Sequence, residues 1–180
     1  MEYGALLVKC GDVEAYRQLR SLALAKWAED RDASVLQPVL YLGGMMATSA
    51  SESAQLLKML RMNQAAAPSA ALPIDCTGLV HYRAGEWVEA NRSLLQAVKL
   101  RSEGENVAVA WAFLAMTHLR LKESAEAEQY LKRVDAWIAE REKQAPPVTA
   151  IAPLSWNWSS NLMVRQLRNE AELLRSKPAP

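Results

Sequence analysis

The sequence predicts an all-α protein of antiparallel helical hairpins, stacked as a short right-handed array and closed by a C-terminal helix. Three observations predict it. Apolar residues recur at three- and four-residue spacing along most of the chain, and few stretches alternate as strands do. Glycine and proline largely fall between these periodic stretches. Finally, residues 81–100 and 118–137 share one rhythm. His81 and His118 are 37 residues apart, and so are Gly78 and Ala115, Ala90 and Ala127, and Leu94 and Leu131.

The elements follow in order. Asp12 is a suitable N-cap for a first helix with Val13, Tyr16, Leu19, Leu22, Leu24 and Trp27 along its apolar stripe. Asp32 opens a second helix carrying Val35, Leu36, Val39, Leu40 and Leu42. Pro38 lies near its first turn, where proline is tolerated, and Gly43–Gly44 loosens or ends it. Ser49 stands three residues before Glu52, a capping-box spacing that opens a third helix through Leu56, Leu57, Leu60 and Met62. Residues 12–64 are thus N-terminal helices. After a connector at 65–68, helices are expected over 71–84, 87–101, 106–121 and 124–142, so that 73–142 holds two recognisable repeats. Residues 143–158 read as a loop rich in Pro and Trp, and 159–176 as a capping helix with Leu162, Leu167, Ala171 and Leu174.

Composition narrows the function. The chain has 180 residues, 51% hydrophobic and 23% charged, which suits one folded domain. Its 21 basic and 20 acidic side chains nearly cancel, which removes the electrostatic argument for nucleic acid or an anionic membrane. Cys10 and Cys76 form no CxxC pattern and are expected as reduced thiols. The N-terminus lacks the basic start of a secretory signal, and the longest apolar run, 107–116, is too short to span a bilayer. A cytoplasmic protein is the expectation. No HExxH, GxSxG, GxGxxG or paired-carboxylate motif argues for an enzyme, and no metal or cofactor is expected.

The repeat resembles the tetratricopeptide repeat (TPR), whose unit is about 34 residues. Trp111, Leu114, Ala115 and His118, then Ala127, Leu131 and Val134, follow that pattern in the second unit. Gly78, His81, Gly85, Trp87, Ala90, Leu94 and Ala97 follow it in the first. Small residues, Gly78 against Ala90 and Ala115 against Ala127, let paired helices approach, while Trp111, Leu94 and Leu131 fill the space between. The sequence departs from the pattern at His81 and His118, which stand for tyrosine, and at Lys122, which stands for the turn glycine. Residues 102–105 lengthen one turn and account for the longer period. HYRAGEW, AWAFLAMTHLRL and RNEAELL are similar to TPR segments at the C-terminal end of bacterial multidomain proteins that carry a serine/threonine kinase or WD-repeat region. That likeness implies a scaffold or regulatory appendage, and a chain that was once the C-terminal part of something longer.

The histidines are expected to pack inside their hairpins. Equivalent positions lie one repeat apart, about 10 Å by helix-packing distances, too far to share a metal. Trp27, Trp87, Trp111 and Trp137 are expected in the core, with Trp156 and Trp158 anchoring the last helix. The resemblance implies that the first helix of each hairpin lines a concave groove. By residue matching its positions are Asp75, Leu79, Tyr82, Arg83, Ala112, Met116, Leu119 and Arg120. Asp75, Leu79, Ala112 and Met116 stand where a carboxylate clamp would need Lys and Asn, which argues against a chaperone-tail clamp. Leu79, Tyr82, Met116 and Leu119 make an apolar strip edged by Arg83 and Arg120, suited to an amphipathic helix or extended peptide with acidic edges. The expected function is a non-catalytic scaffold or adaptor binding a protein or peptide in that groove. Alternatives are a homodimer that buries the same strip, a small-molecule-sensing helical domain, and a strip covered by the protein's own N-terminal helices.

Overall fold

The computed structural model describes residues 4, 7–8, 10–66, 73–100, 105–143 and 157–176, with the side chains of 105, 106 and 157–160 left aside. Among the described residues there are eight helices and no strand. They are α1 (Val13–Lys26), α2 (Ala33–Gly44), α3 (Ala50–Ala66), α4 (Ile74–Arg83), α5 (Trp87–Leu100), α6 (Glu105–Arg120), α7 (Ser124–Lys143) and α8 (Asn157–Ser176). Most expected boundaries agree within one or two residues. The exception is α4, which begins three residues later. The side chains of Trp156 and Trp158, and most of the Pro/Trp loop, lie outside the described residues.

Local chemistry explains the helix starts. The Asp12 carboxylate accepts from the Ala15 N–H at 3.0 Å, and Asp32 accepts from Ser34 N–H at 2.8 Å. The Ser49–Glu52 capping box forms in both directions. The Ser49 N–H donates to Glu52 Oε2 at 2.9 Å, and the Glu52 N–H donates to Ser49 Oγ at 3.3 Å. Pro38 is carried inside α2, which nevertheless runs on to Gly44.

The turns explain the period. Gly85 adopts φ +79° and Lys122 φ +64°. After α4, the Gly85 N–H donates to Tyr82 O at 3.1 Å and the Glu86 N–H to His81 O at 3.0 Å. After α6, the Lys122 N–H donates to Leu119 O at 3.2 Å and the Glu123 N–H to His118 O at 2.8 Å. This is the Schellman arrangement, which satisfies the last carbonyls of a helix by placing one residue in the left-handed region. Lys122 therefore occupies the same left-handed conformation as Gly85, 37 residues before it. The same bonds recur at Gly11, where the Gly11 N–H meets Val8 O and the Asp12 N–H meets Leu7 O. The helices that follow these three turns, together with α3 after its capping box, keep one spacing. Val13, Ala50, Trp87 and Ser124 open α1, α3, α5 and α7, each 37 residues after the one before. The period assigned to two units thus extends through the N-terminal helices.

Packing follows chain order. The hairpin partners α4 and α5, and α6 and α7, pack closely. Helix α4 also packs on α2 and α3, α6 on α4 and α5, and α8 on α6 and α7. One core runs through them, from Tyr16, Leu36 and Leu40 through Leu56, Leu60 and Leu79 to Phe113, Leu131, Val164 and Leu167. Burial pushes the Tyr16 phenol up to about 12, and its hydroxyl donates to the Leu42 carbonyl. Cys10 is exposed, Cys76 is buried, and neither is bridged.

Three expectations need correction. Gly78 makes room chiefly for Leu94, not Ala90: an added Cβ would lie 2.6 Å from Leu94 Cγ and 3.2 Å from its backbone N. Leu22 is 70% exposed, so it lies off the buried stripe of α1 that Tyr16, Arg20, Ala23 and Leu24 form. Trp87 is 36% exposed at the first position of α5, where the Arg120 guanidinium lies 5.8 Å from its ring centroid.

Two substitutions test this account by urea unfolding. Lys122→Gly relieves the left-handed penalty and is expected to stabilise the chain by about 1 kcal/mol. Gly78→Ala forces Leu94 and its backbone apart and is expected to destabilise it by about 1–3 kcal/mol.

Candidate functional site

The eight groove positions lie together on α4 and α6, but they do not form an open groove. Asp75, Leu79 and Tyr82 are buried, and Ala112 and Met116 are fully buried. Helix α2 covers one side. Tyr41 donates its hydroxyl to the Asp75 carboxylate, and Leu79 fills the space beside Gly44, which has no side chain to exclude it. Helix α8 covers the other. Of the eight, only Leu119 is partly exposed among the apolar residues, and Arg120 is the exposed charged one. The strip is therefore core, filled by the N-terminal helices and also by α8, which sequence reasoning placed only as a cap.

Arg83 is the centre of this closure. Its side chain is 3% exposed. Nε donates to the Gly44 carbonyl at 2.9 Å, at the end of α2. Nη1 and Nη2 grip Glu170 of α8 at 2.5 and 2.9 Å. The guanidinium carbon also lies 5.4 Å from the Tyr82 ring centroid and 5.3 Å from that of Phe113, and the two rings meet edge to face at 5.4 Å. A buried guanidinium must be paired and hydrogen-bonded, and here a carboxylate, a carbonyl and two π faces share the task. Burial raises the Tyr82 phenol above its ordinary range, and the nearby Glu170 charge adds to this.

A second buried arginine does similar work at the N-terminal end. Arg20 of α1 is bidentate to Glu52 at 2.9 Å in both bonds, and its Nη1 donates to the Ala47 carbonyl at 3.2 Å. An open recess of 560 Å³ lies beside this pair, with Arg17, Arg20, Ser49 and Glu52 on its walls. Burial works to raise the Glu52 carboxyl, but bonds from the Ser49 N–H and hydroxyl and from Arg20 outweigh it and hold it below its ordinary range. Arg20, Ser49 and Glu52 thus satisfy one another through the ion pair and the capping box, while Arg17 pairs with Glu14.

Each histidine meets a carboxylate across its turn. Nδ1 of His81 lies 2.6 Å from Glu86, and Nδ1 of His118 lies 2.6 Å from Glu123. His118 also stacks on Tyr130, centroids 5.5 Å apart and planes within 10°. The histidines pack within their own hairpins, as expected, and each has a glutamate beside it that the sequence analysis did not single out. The Schellman turn folds position i+5 back over position i. The repeated His-x-x-x-x-Glu at a 37-residue offset was the available signal. Among the described residues, no three His, Cys, Asp or Glu side chains assemble into a metal-binding group. No described helix is long and apolar enough to cross a membrane.

Sequence reasoning missed Glu170, Phe113, Tyr41 and Gly44 as neighbours of the strip. Glu170 is 87 residues from Arg83, and no local pattern joins them. No family model, curated protein or solved structure matches the chain.

Two measurements check these pairs. Glu170→Leu leaves Arg83 buried without its carboxylate and is expected to lower stability by about 3–5 kcal/mol, whereas adding Arg83→Met restores most of the loss. A double-mutant cycle in urea reads both. Glu52 has a depressed folded-state pKa, so its contribution is complete above the ordinary glutamate value of about 4.3 and fades as pH falls through the folded value. Glu52→Gln is expected to flatten that acid limb of the stability curve.

Proposed function

We propose that this chain is a non-catalytic protein-binding module of the tetratricopeptide type, a short right-handed stack of helical hairpins. One observation carries the reading. Four helices begin at a constant 37-residue spacing, and alternate helices pack on the two before them. Such regular hairpin stacking builds extended surfaces, and binding is what stacked repeats offer when no catalytic constellation accompanies them. The protein or peptide partner meets the edge left outside the closed strip. There the Arg120 guanidinium lies over the Trp87 ring, a cation and an aromatic of the kinds enriched at interface hot spots, and the partly exposed Leu119 precedes Arg120 in the chain.

The test must spare the core. Tyr82 and Arg83 are buried, so their replacement reads stability rather than binding. Trp87→Ala with Arg120→Glu changes exposed side chains and is expected to leave the helical circular-dichroism spectrum intact. In a crosslinking pull-down from native lysate, the variant is expected to lose a wild-type partner by tenfold or more. Equal capture by both forms, or capture only of the chain itself, overturns this edge as the working surface and favours self-assembly.

A further inference from the structure

Helix α8 repeats itself every seven residues. Ala171 and Leu174 follow Val164 and Leu167 at that interval, and Arg175 follows Arg168. Val164, Leu167 and Ala171 are buried, and Leu174 packs against the same core. This is the apolar spacing of a coiled-coil seam. Helix α7 carries a matching pattern. Its acids Glu128, Asp135 and Glu142 stand seven apart and pair with Arg175, Arg168 and Arg165 at 3.1, 2.9 and 2.8 Å, so the two helices run antiparallel.

Two seven-residue patterns in contact do not define a single fit. Seven residues of helix rise about 10 Å in both partners. Sliding α8 by that step toward its own C-terminus sets Arg165 beside Asp135 and Arg168 beside Glu128. Sliding it the other way sets Arg175 beside Asp135 and Arg168 beside Glu142. Either slip keeps two of the three rim pairs. One position breaks the equivalence. Met163 and Glu170 are seven apart, yet the first is a buried thioether and the second a carboxylate on Arg83. The first slip brings Met163 to a guanidinium that is 3% exposed and leaves it without its acid. The second drives Glu170 into the buried place of Met163. Both strand a charge away from water.

We infer that the Arg83–Glu170 pair is a register lock, which selects one seating of α8 among those that its apolar and rim-charge patterns allow. A buried polar group fixes register in this way where apolar repeats leave it open. The rim pairs each contribute little and do not distinguish the seatings. Glu170 is therefore a positioning residue for the whole of α8, and it decides which of that helix's side chains stand outside the array.

The experiment uses the full chain with Cys10→Ser and with nitroxide labels at Ala139→Cys on α7 and Leu173→Cys on α8, both exposed sites, while the buried Cys76 stays unlabelled. Pulsed electron paramagnetic resonance reads the distance between the labels. With Arg83 and Glu170 in place, one distance is expected. Arg83→Met with Glu170→Met makes positions 163 and 170 alike, and a second distance displaced by up to about 10 Å is expected. Met163→Glu with Glu170→Met moves the carboxylate by one repeat and keeps Arg83. It is expected to move the population to the longer distance, and it keeps the test open if the first variant fails to fold. One unchanged distance in the folded variants overturns the lock. So does a distribution without a defined distance, which means that the pair holds α8 on rather than in register.

Discussion

Each turn of this protein must satisfy the last carbonyls of one helix before the next can begin. Placing a single residue in the left-handed region does so with two bonds, and it also fixes where the following helix starts. Gly11, Gly85 and Lys122 occupy that role, and each is followed by an acidic residue. At Gly85 and Lys122 the acid folds back onto a histidine, so that one geometry ends the first helix, opens the second and pairs an imidazole. The starts of α1, α5 and α7 follow from repeating this junction. The middle junction reaches the same spacing by another route, with the Ser49–Glu52 capping box in place of a left-handed residue.

Between the junctions the helices approach closely where a side chain is missing. Gly78 admits Leu94 within the α4–α5 hairpin, and Gly44 admits Leu79 between α2 and α4. The same loss of bulk at Gly44 leaves its carbonyl within reach of Arg83. A packing device and a polar device thus meet at one residue. The arginine then carries the connection onward to α8, so that the second, fourth and eighth helices share one guanidinium.

Much of this was legible because it is local. Asp12, Asp32 and Ser49 announced their helices through capping chemistry, and the apolar spacing of α4 to α7 announced their inner faces. The repeat was legible only where its motif was dense. Tyr16 and Ser53 stand in the N-terminal units at the offset of Ala90, so identity fades there while the backbone keeps its period. The site was legible as a set of residues and misread as a surface. Leu79, Tyr82 and Met116 do line one face, but whether a face is open depends on which distant helix lies on it, and Glu170 gives no sign in sequence that it belongs to Arg83. Lys122 shows a different limit. A lysine does not announce a left-handed backbone, although its place in the repeat does.

The span of 87 residues between Arg83 and Glu170 has a kinetic meaning. Closing it costs only about 0.8 kcal/mol more chain entropy than closing a 37-residue unit, since that cost grows with the logarithm of length. Stripping water from a guanidinium and a carboxylate is the far larger expense. The helices before α8 pack mainly on near neighbours in the chain and can assemble through short-range contacts. The last helix then meets a barrier set by dehydration rather than by search, and its arrival and departure should respond to solvent composition more than to the length of the segment that carries it.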